Sequence, residues 1–395
     1  MFKNLRIKNF KIFENIEFEK LSHVNLLAGR NNVGKTTLLE AILLFAKLGS
    51  PAVIINLLQE RDLLMSESLQ KPFINIPVQH LFHNSQFPTG QSLYIGDVGG
   101  YDCIDIKRIF YKTERLPPTH DGEHGNNFTY PQYLEKELGD EPTDEPTKVF
   151  DIPVMQKLKI TYHVSTSPER PNGSSVTMPI SFRFEVFDSR YFNEMMSSER
   201  TGTKIDTFAY PVKFVPTGVL SLDYLSEIWD NVILSGDKPE VIQMLKLIEP
   251  RTEDVNFIKS QFDNKRTAIV KFEGQREHLP LKNLGQGMLR MLQLVLSLVQ
   301  AKNGFLLIDE FENGLHYSVQ PKVWNMLFTL AKKLNVQIFA TTHSKDTVES
   351  FGKIWKQYED DGSFHRLSRE SEQIEAAAYE CTTLDYALTG DIEVR

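Results

Sequence analysis

Apolar and polar residues largely alternate from Leu5 to Glu19, in LRIKNFKIFENIEFE, a period of two that predicts a pair of strands. HVNLLAG, His23 to Gly29, is a short apolar run ending in glycine and predicts a buried strand. TTLLEAILLFAKL then has the length and spacing of a helix. The longest apolar region, Leu38 to Leu58, is broken by Glu40, Lys47, Gly49 and Pro51, which reads as a buried helix followed by a turn and not as a membrane span. Strand patterns return at KLKITYHVST and TMPISFRFEVFD. Two helical stretches follow, GVLSLDYLSEIWDNVIL and PEVIQMLKLIEP, then two strands, VNFIKSQF and RTAIVKFEG. The last third runs helix, strand, helix, strand through MLRMLQLVLSLVQ, GFLLIDE, QPKVWNMLFTLAKKL and VQIFATTHS, the alternation of a parallel sheet covered by helices. LDYALTGDIEVR at the end reads as a closing strand.

The chain has 395 residues, 41% hydrophobic and 24% charged, enough for two ordinary domains or one large domain with an insertion. The interruption falls at about 115–148, where DEPTDEPT and its neighbours are rich in Pro, Gly and acid and poor in aliphatics, predicting an exposed loop. A net charge of −8 gives no general basic surface and leaves only local patches for nucleic acid. Cys103 and Cys381 lie far apart with no ligand-spaced partner, which points to reduced thiols and a cytoplasmic protein without a disulfide framework or zinc site. The N-terminus has no continuous apolar core of the secretory kind.

GRNNVGKTT, Gly29 to Thr37, satisfies G-x-x-x-x-G-K-[ST] between a predicted strand and a predicted helix. The loop N–H groups of Gly29, Arg30, Asn31, Asn32, Gly34, Lys35, Thr36 and Thr37 suit phosphate oxygens, because glycine keeps side chains out of the way. Lys35 brings a charge to the β- and γ-phosphates of ATP, and the Thr36 hydroxyl suits Mg²⁺. Asp309 follows four apolar residues at a strand's carboxyl end, where it can hold the same metal; Glu310 is then placed to polarise the attacking water. His343 ends the next strand and can hydrogen-bond the γ-phosphate. Gly285 and Gly287 stand just ahead of an apolar helix, as a turn that bends tightly or lets something approach closely.

These pieces, in this order, resemble the ABC-type ATPases, in particular the RecF-like and OLD-like (overcoming lysogenization defect) group. The resemblance runs from IKNFKIFENIEF through the P-loop and resumes from about Lys213; roughly Pro51 to Tyr210 has no counterpart. It implies an α/β P-loop NTPase head of the ABC type, with a mostly parallel sheet and flanking helices, an N-terminal antiparallel β lobe and an inserted β/helical region. The implied divisions are 1–50 and 281–395 for the two parts of the head, 51–212 for a β-rich lobe with the acidic loop, and 213–280 for a helical and strand subdomain. It also implies that Gly285, Gln286 and Gly287 form the signature segment that binds the γ-phosphate of an ATP held by a second protomer. A serine common in that group is absent at Gly285, which implies slow hydrolysis. Arg290 matches an arginine frequent there, and the resemblance implies that it and Asn313 help bind the nucleotide; Asn313 and Gly314 would lie on the dimer seam, and His343 is the switch histidine. Gln79 is a candidate Q-loop residue, and Lys11 or Phe13 a candidate flank to the nucleotide.

By the same resemblance the chain is an ATP- and Mg²⁺-dependent homodimeric or larger switch that controls a separate, nuclease-like effector in antiphage defence. About fifty residues follow His343, too few for the Toprim nuclease of many OLD-like relatives, so no intrinsic nuclease is expected. A repair clamp closing on duplex DNA, and a scaffold that holds ATP without hydrolysing it, remain as alternatives. Glu310 argues against the scaffold, which needs no base.

Overall fold

A computed structural model describes residues 1–61, 63, 73–86, 91–115, 133–139, 155–163, 174–179, 181–183, 209–218, 220–259, 266–371, 373–390 and 393–394. The chain divides into two compact units. One comprises Met1–Arg6, Asn15–Lys47 and Ala209–Arg395; the other comprises Ile7–Glu14 and Leu48–Phe208.

The first unit is built on a six-stranded sheet. Its strands are β3 (Val24–Gly29), β11 (Val212–Val215), β15 (Phe305–Ile308), β16 (Gln337–Thr342), β17 (Gly362–Glu370) and β18 (Gln373–Tyr379). Their order is β11-β15-β16-β3-β17-β18; every neighbouring pair is parallel except β17 with β18. Every residue of β3, β15 and β16 is buried, as central parallel strands covered on both faces require. This parallel core is the fold expected of a P-loop NTPase. Alternate strand residues face opposite layers. Val24, Leu26, Ala28, Ile308 and Ala340 join one core cluster with α3 (Leu222–Ser235), α4 (Lys238–Ile248), α5 (Gln286–Gln300), α6 (Gln320–Leu334) and α7 (Lys345–Trp355). Phe305 instead meets Phe45 of α1 (Lys35–Ala46) edge to face at 6.2 Å. A small antiparallel sheet, β12 (Thr252–Lys259), β13 (Arg266–Phe272) and β14 (Leu279–Pro280), precedes α5.

The second unit is antiparallel. Its strands β5 (Leu93–Gly96), β6 (Cys103–Arg115), β7 (Tyr133–Gly139), β8 (Met155–His163) and β9 (Ser174–Pro179) run in the order β5-β6-β8-β9 with β7 beside β6, and the unit takes in residues 7–10 of β1 (Leu5–Phe10) and 13–14 of β2 (Phe13–Phe18). A second pair joins β4 (Phe73–Asn75) and β10 (Ser181–Arg183). Ile104, Ile106, Leu158 and Ile160 are buried at alternate positions, the half-covered pattern of such a sheet.

The turn expected after the buried helix is present at Lys47–Gly49, and Pro51 then begins a second helix that the sequence pattern did not assign, α2 (Pro51–Gln59), at a position where proline's missing N–H is harmless. LDYALTGDIEVR is not a strand, because α8 (Cys381–Thr389) buries Cys381, Leu384 and Ala387 at helical spacing. The antiparallel closing role falls to β17 and β18. The exposed loop expected at about 115–148 is in part a strand, because 133–139 forms β7 on β6; 116–132 and 140–148 lie outside the described residues. Residues 184–188 and 260–262, read as strand ends, also lie outside them.

Candidate nucleotide site

In the order β15-β16-β3, three buried strands end side by side, and the candidate groups follow their carboxyl ends. After β3 the P-loop leaves Arg30, Asn31 and Asn32 exposed, with Asn32 in the left-handed region at φ 65°. Gly34 caps α1 at φ 90°, a conformation that only glycine adopts without strain, and Thr37 is buried at the first turn. A Cβ on Gly29 would come within 2.6 Å of the Leu367 carbonyl oxygen, so glycine is required there by close packing as well.

The Lys35 ammonium donates to the carbonyls of Gly29 (2.7 Å) and Arg30 (2.8 Å), closing the loop on itself. Burial lowers its pKa, opposed by the nearby charges of Asp309, Glu310 and Glu312. The Thr36 hydroxyl lies 3.3 and 3.2 Å from the two carboxylate oxygens of Asp309. Among the described residues no group of three His, Cys, Asp or Glu side chains is gathered for a metal. A hydroxyl and one carboxylate suit a different case: Mg²⁺ takes hard oxygen ligands, keeps several waters and draws the rest of its shell from phosphate. The residues present therefore fit the expected ion.

Behind the loop, the turn after β15 is held from several directions. The Thr341 hydroxyl donates to Asp309 (2.7 Å) and accepts from the Glu310 amide (2.9 Å). Glu310 has φ 46°, an uncommon conformation for a non-glycine residue. Phe311 donates its amide to the Thr341 carbonyl and stacks on Trp324 at 3.8 Å between ring centroids. His343 places Nδ1 3.2 Å from Glu312 and 3.8 Å from Glu310.

Arg290 departs from its expected role. It is completely buried, and its guanidinium donates to the carbonyls of Pro216 (2.5 Å), Gly218 (3.2 Å), Asp309 (3.2 Å) and Glu310 (3.5 Å). Burial pushes its pKa down to about 10, against the pull of Asp309, Glu312 and Glu310. Its geometry is that of a clamp on the β15 turn, not of a side chain offered to a ligand.

Gly285, at φ 90° with open space around its α-carbon, stands at the head of α5, and Gln286 beside it is exposed. A Cβ on Gly287 would lie 3.2 Å from the Gly314 carbonyl oxygen, so the two glycine segments pack closely. Asn313 is exposed and donates its amide to the Glu310 carbonyl. Gln79, Lys11 and Phe13 belong to the other compact unit.

Sequence reasoning did not single out Thr341 or Glu312. A usable signal existed for the first: a hydroxyl inside a wholly buried strand must find a partner.

Comparison with known proteins points to an ATPase. Residues 216–349 match the family profile described as "AAA domain, putative AbiEii toxin, Type IV TA system", and residues 1–127 match an AAA ATPase domain profile. An ATP/GTP phosphatase of Helicobacter pylori is 23% identical over 377 residues, covering 90% of this chain and 89% of that protein. Among solved structures, an SMC head domain from Thermotoga maritima aligns at TM-score 0.42 and 12% identity, covering 96% of this chain and 98% of the other. An SMC head bound to the C-terminal winged-helix domain of ScpA aligns at 0.46 and 13%, with coverage of 96% and 98%. Those superpositions are too loose to carry weight. The two profiles and the P-loop on its parallel sheet together support a P-loop ATPase. Among the described residues no helix is long and apolar enough to cross a membrane.

Proposed function

We propose that this protein binds Mg·ATP in the cradle after β3, hydrolyses it, and uses the cycle as a dimerising switch on a separate effector. One observation carries the hydrolysis reading. Thr36, Asp309, Thr341 and Glu310 form a continuous hydrogen-bonded chain from the P-loop to the candidate base.

Lys35 exchanges its loop carbonyls for the β- and γ-phosphate oxygens of bound ATP. Thr36 and Asp309 would hold Mg²⁺, which would supply neutralising charge to those oxygens. Glu310 accepts the proton of the attacking water, its carboxylate aimed by a backbone that Thr341 and Arg290 fix. His343 meets the γ-phosphate side of the site. The exposed head of α5, at Gly285, Gln286 and Gly287, suits the phosphate of an ATP on a second copy, because backbone N–H groups and the helix dipole attract anions.

The effector reading rests on the resemblance to OLD-like ATPases and on the toxin–antitoxin profile over 216–349. The resemblance, not the profile, is what supports a separately encoded nuclease-like partner and an antiphage setting. Steady-state ATP turnover of wild type and Glu310→Gln tests the chemistry. The variant should bind ATP with affinity close to wild type and turn over at least roughly a hundredfold more slowly. A wild-type rate in Glu310→Gln would place the base elsewhere.

A further inference from the structure

Glu312 lies two residues beyond the candidate base and has no part in the chemistry above. Its side chain is only 14% exposed, and an ionised carboxylate in such a place needs several donors. It has them. One oxygen accepts from the Thr342 hydroxyl at 2.8 Å, and the other accepts from the His343 backbone amide at 3.1 Å. That second oxygen also stands 3.2 Å from His343 Nδ1. Glu310 is 3.8 Å from the same nitrogen, beyond hydrogen-bond range.

We infer that Glu312 is the positioning residue for His343, fixing both the ring's orientation and its tautomer. A carboxylate only accepts, so the nitrogen facing it must carry a hydrogen. Nδ1 is therefore the protonated nitrogen of the neutral ring, and Nε2 is the atom presented on the opposite edge. The same carboxylate is itself held by the backbone amide of His343 and the hydroxyl of Thr342, so the acceptor facing Nδ1 is fixed in place, and turning the ring away gives up its contact with Glu312. An isolated neutral imidazole has no such constraint, and its tautomer is set by the hydrogen bond it makes. The kinetic consequence of this arrangement rests on the reading of the cleft as an ATP hydrolysis site; the tautomer does not.

The test separates the two. Long-range ¹H–¹⁵N spectra of histidine-labelled protein, with the His343 signals identified by their loss in His343→Gln, report the tautomer directly. Wild type should show Nδ1–H. Glu312→Ala should show the Nε2–H form, and Glu312→Gln, which keeps an acceptor oxygen, should retain Nδ1–H. In turnover assays Glu312→Ala should lower kcat by roughly tenfold to a hundredfold, the usual cost of removing an outer partner that orients a site histidine, with KM changed by no more than about twofold. In a His343→Gln background the same change should cost nothing further. An unaltered tautomer in Glu312→Ala, or an equal loss of kcat without His343, would overturn the assignment. A tautomer that switches in a protein with no ATP turnover keeps the positioning role and removes the hydrolysis reading instead. Should Glu312→Ala fail to fold, Glu312→Met, similar in length and without an acceptor oxygen, serves the same comparison.

Discussion

The loop after β3 and the turn after β15 serve one candidate site and are built in opposite ways. The P-loop is held mainly by its own backbone and is exposed at Arg30, Asn31, Asn32 and Thr36. Its lysine bonds to carbonyls five and six residues earlier, and its shape comes from Gly29 and Gly34. The β15 turn is assembled from afar. Arg290 reaches it from α5, Thr341 supports it from β16, and Phe311 is stacked on Trp324 of α6. A local loop can change its ligands without disturbing the fold, whereas the turn is part of the core. Substitutions in the two should therefore separate binding from stability.

The sharpest contrast is Lys35→Ala against Arg290→Met. Removing the lysine should weaken ATP binding by roughly a thousandfold, about 4 kcal/mol, while the urea midpoint barely moves. Calorimetric titration beside a denaturation curve measures both, and unchanged ATP affinity would end the cradle assignment. Arg290→Met should do the reverse. It strands buried carbonyls of Pro216, Asp309 and Glu310, at a cost of about 3 kcal/mol in folding stability. A stability loss below about 1 kcal/mol would mean that water or a shifted backbone replaces the clamp.

Thr341→Val is a finer cut through the same turn. It keeps the shape and removes the hydroxyl that joins Asp309 to the Glu310 amide. A stability loss of about 1.5 kcal/mol is expected. Slower turnover at nearly unchanged ATP affinity should accompany it. If affinity falls and turnover per bound ATP does not, Thr341 acts through the metal ligand and not through the base.

The smallest effect has the opposite sign. Glu310 sits at φ 46°, where a side chain is strained and glycine is not. Glu310→Gly should raise stability by up to about 1 kcal/mol while turnover is lost. Thermal denaturation decides it: a fall in stability would mean that the glutamate's contacts outweigh its strain.

The same contrast explains what the sequence could tell. The parallel fold was legible because continuous apolar runs such as VNLLAG and FLLI, alternating with helical stretches, have few other solutions. The P-loop was legible because its chemistry is confined to nine consecutive residues, Gly29 to Thr37. Thr341 and Glu312 were not singled out, because what they do depends on partners brought close by tertiary structure. Arg290 carried a nucleotide-binding role by resemblance alone, and only packing reveals that it is buried beneath the turn. At Pro51 and at LDYALTGDIEVR the short-range signals were ambiguous, and burial at helical spacing decided for helix in both.

The central claim is that ATP bound here is shared between two copies and consumed with the help of Glu310. The most direct test is native mass spectrometry of Glu310→Gln, alone and combined with Gly287→Arg, with and without Mg·ATP. The account predicts a dimer carrying two ATP molecules only when Mg·ATP is present, and a monomer that still binds ATP when Gly287→Arg blocks the head of α5. An oligomeric state indifferent to ATP, or a nucleotide-dependent dimer that survives Gly287→Arg, would contradict it.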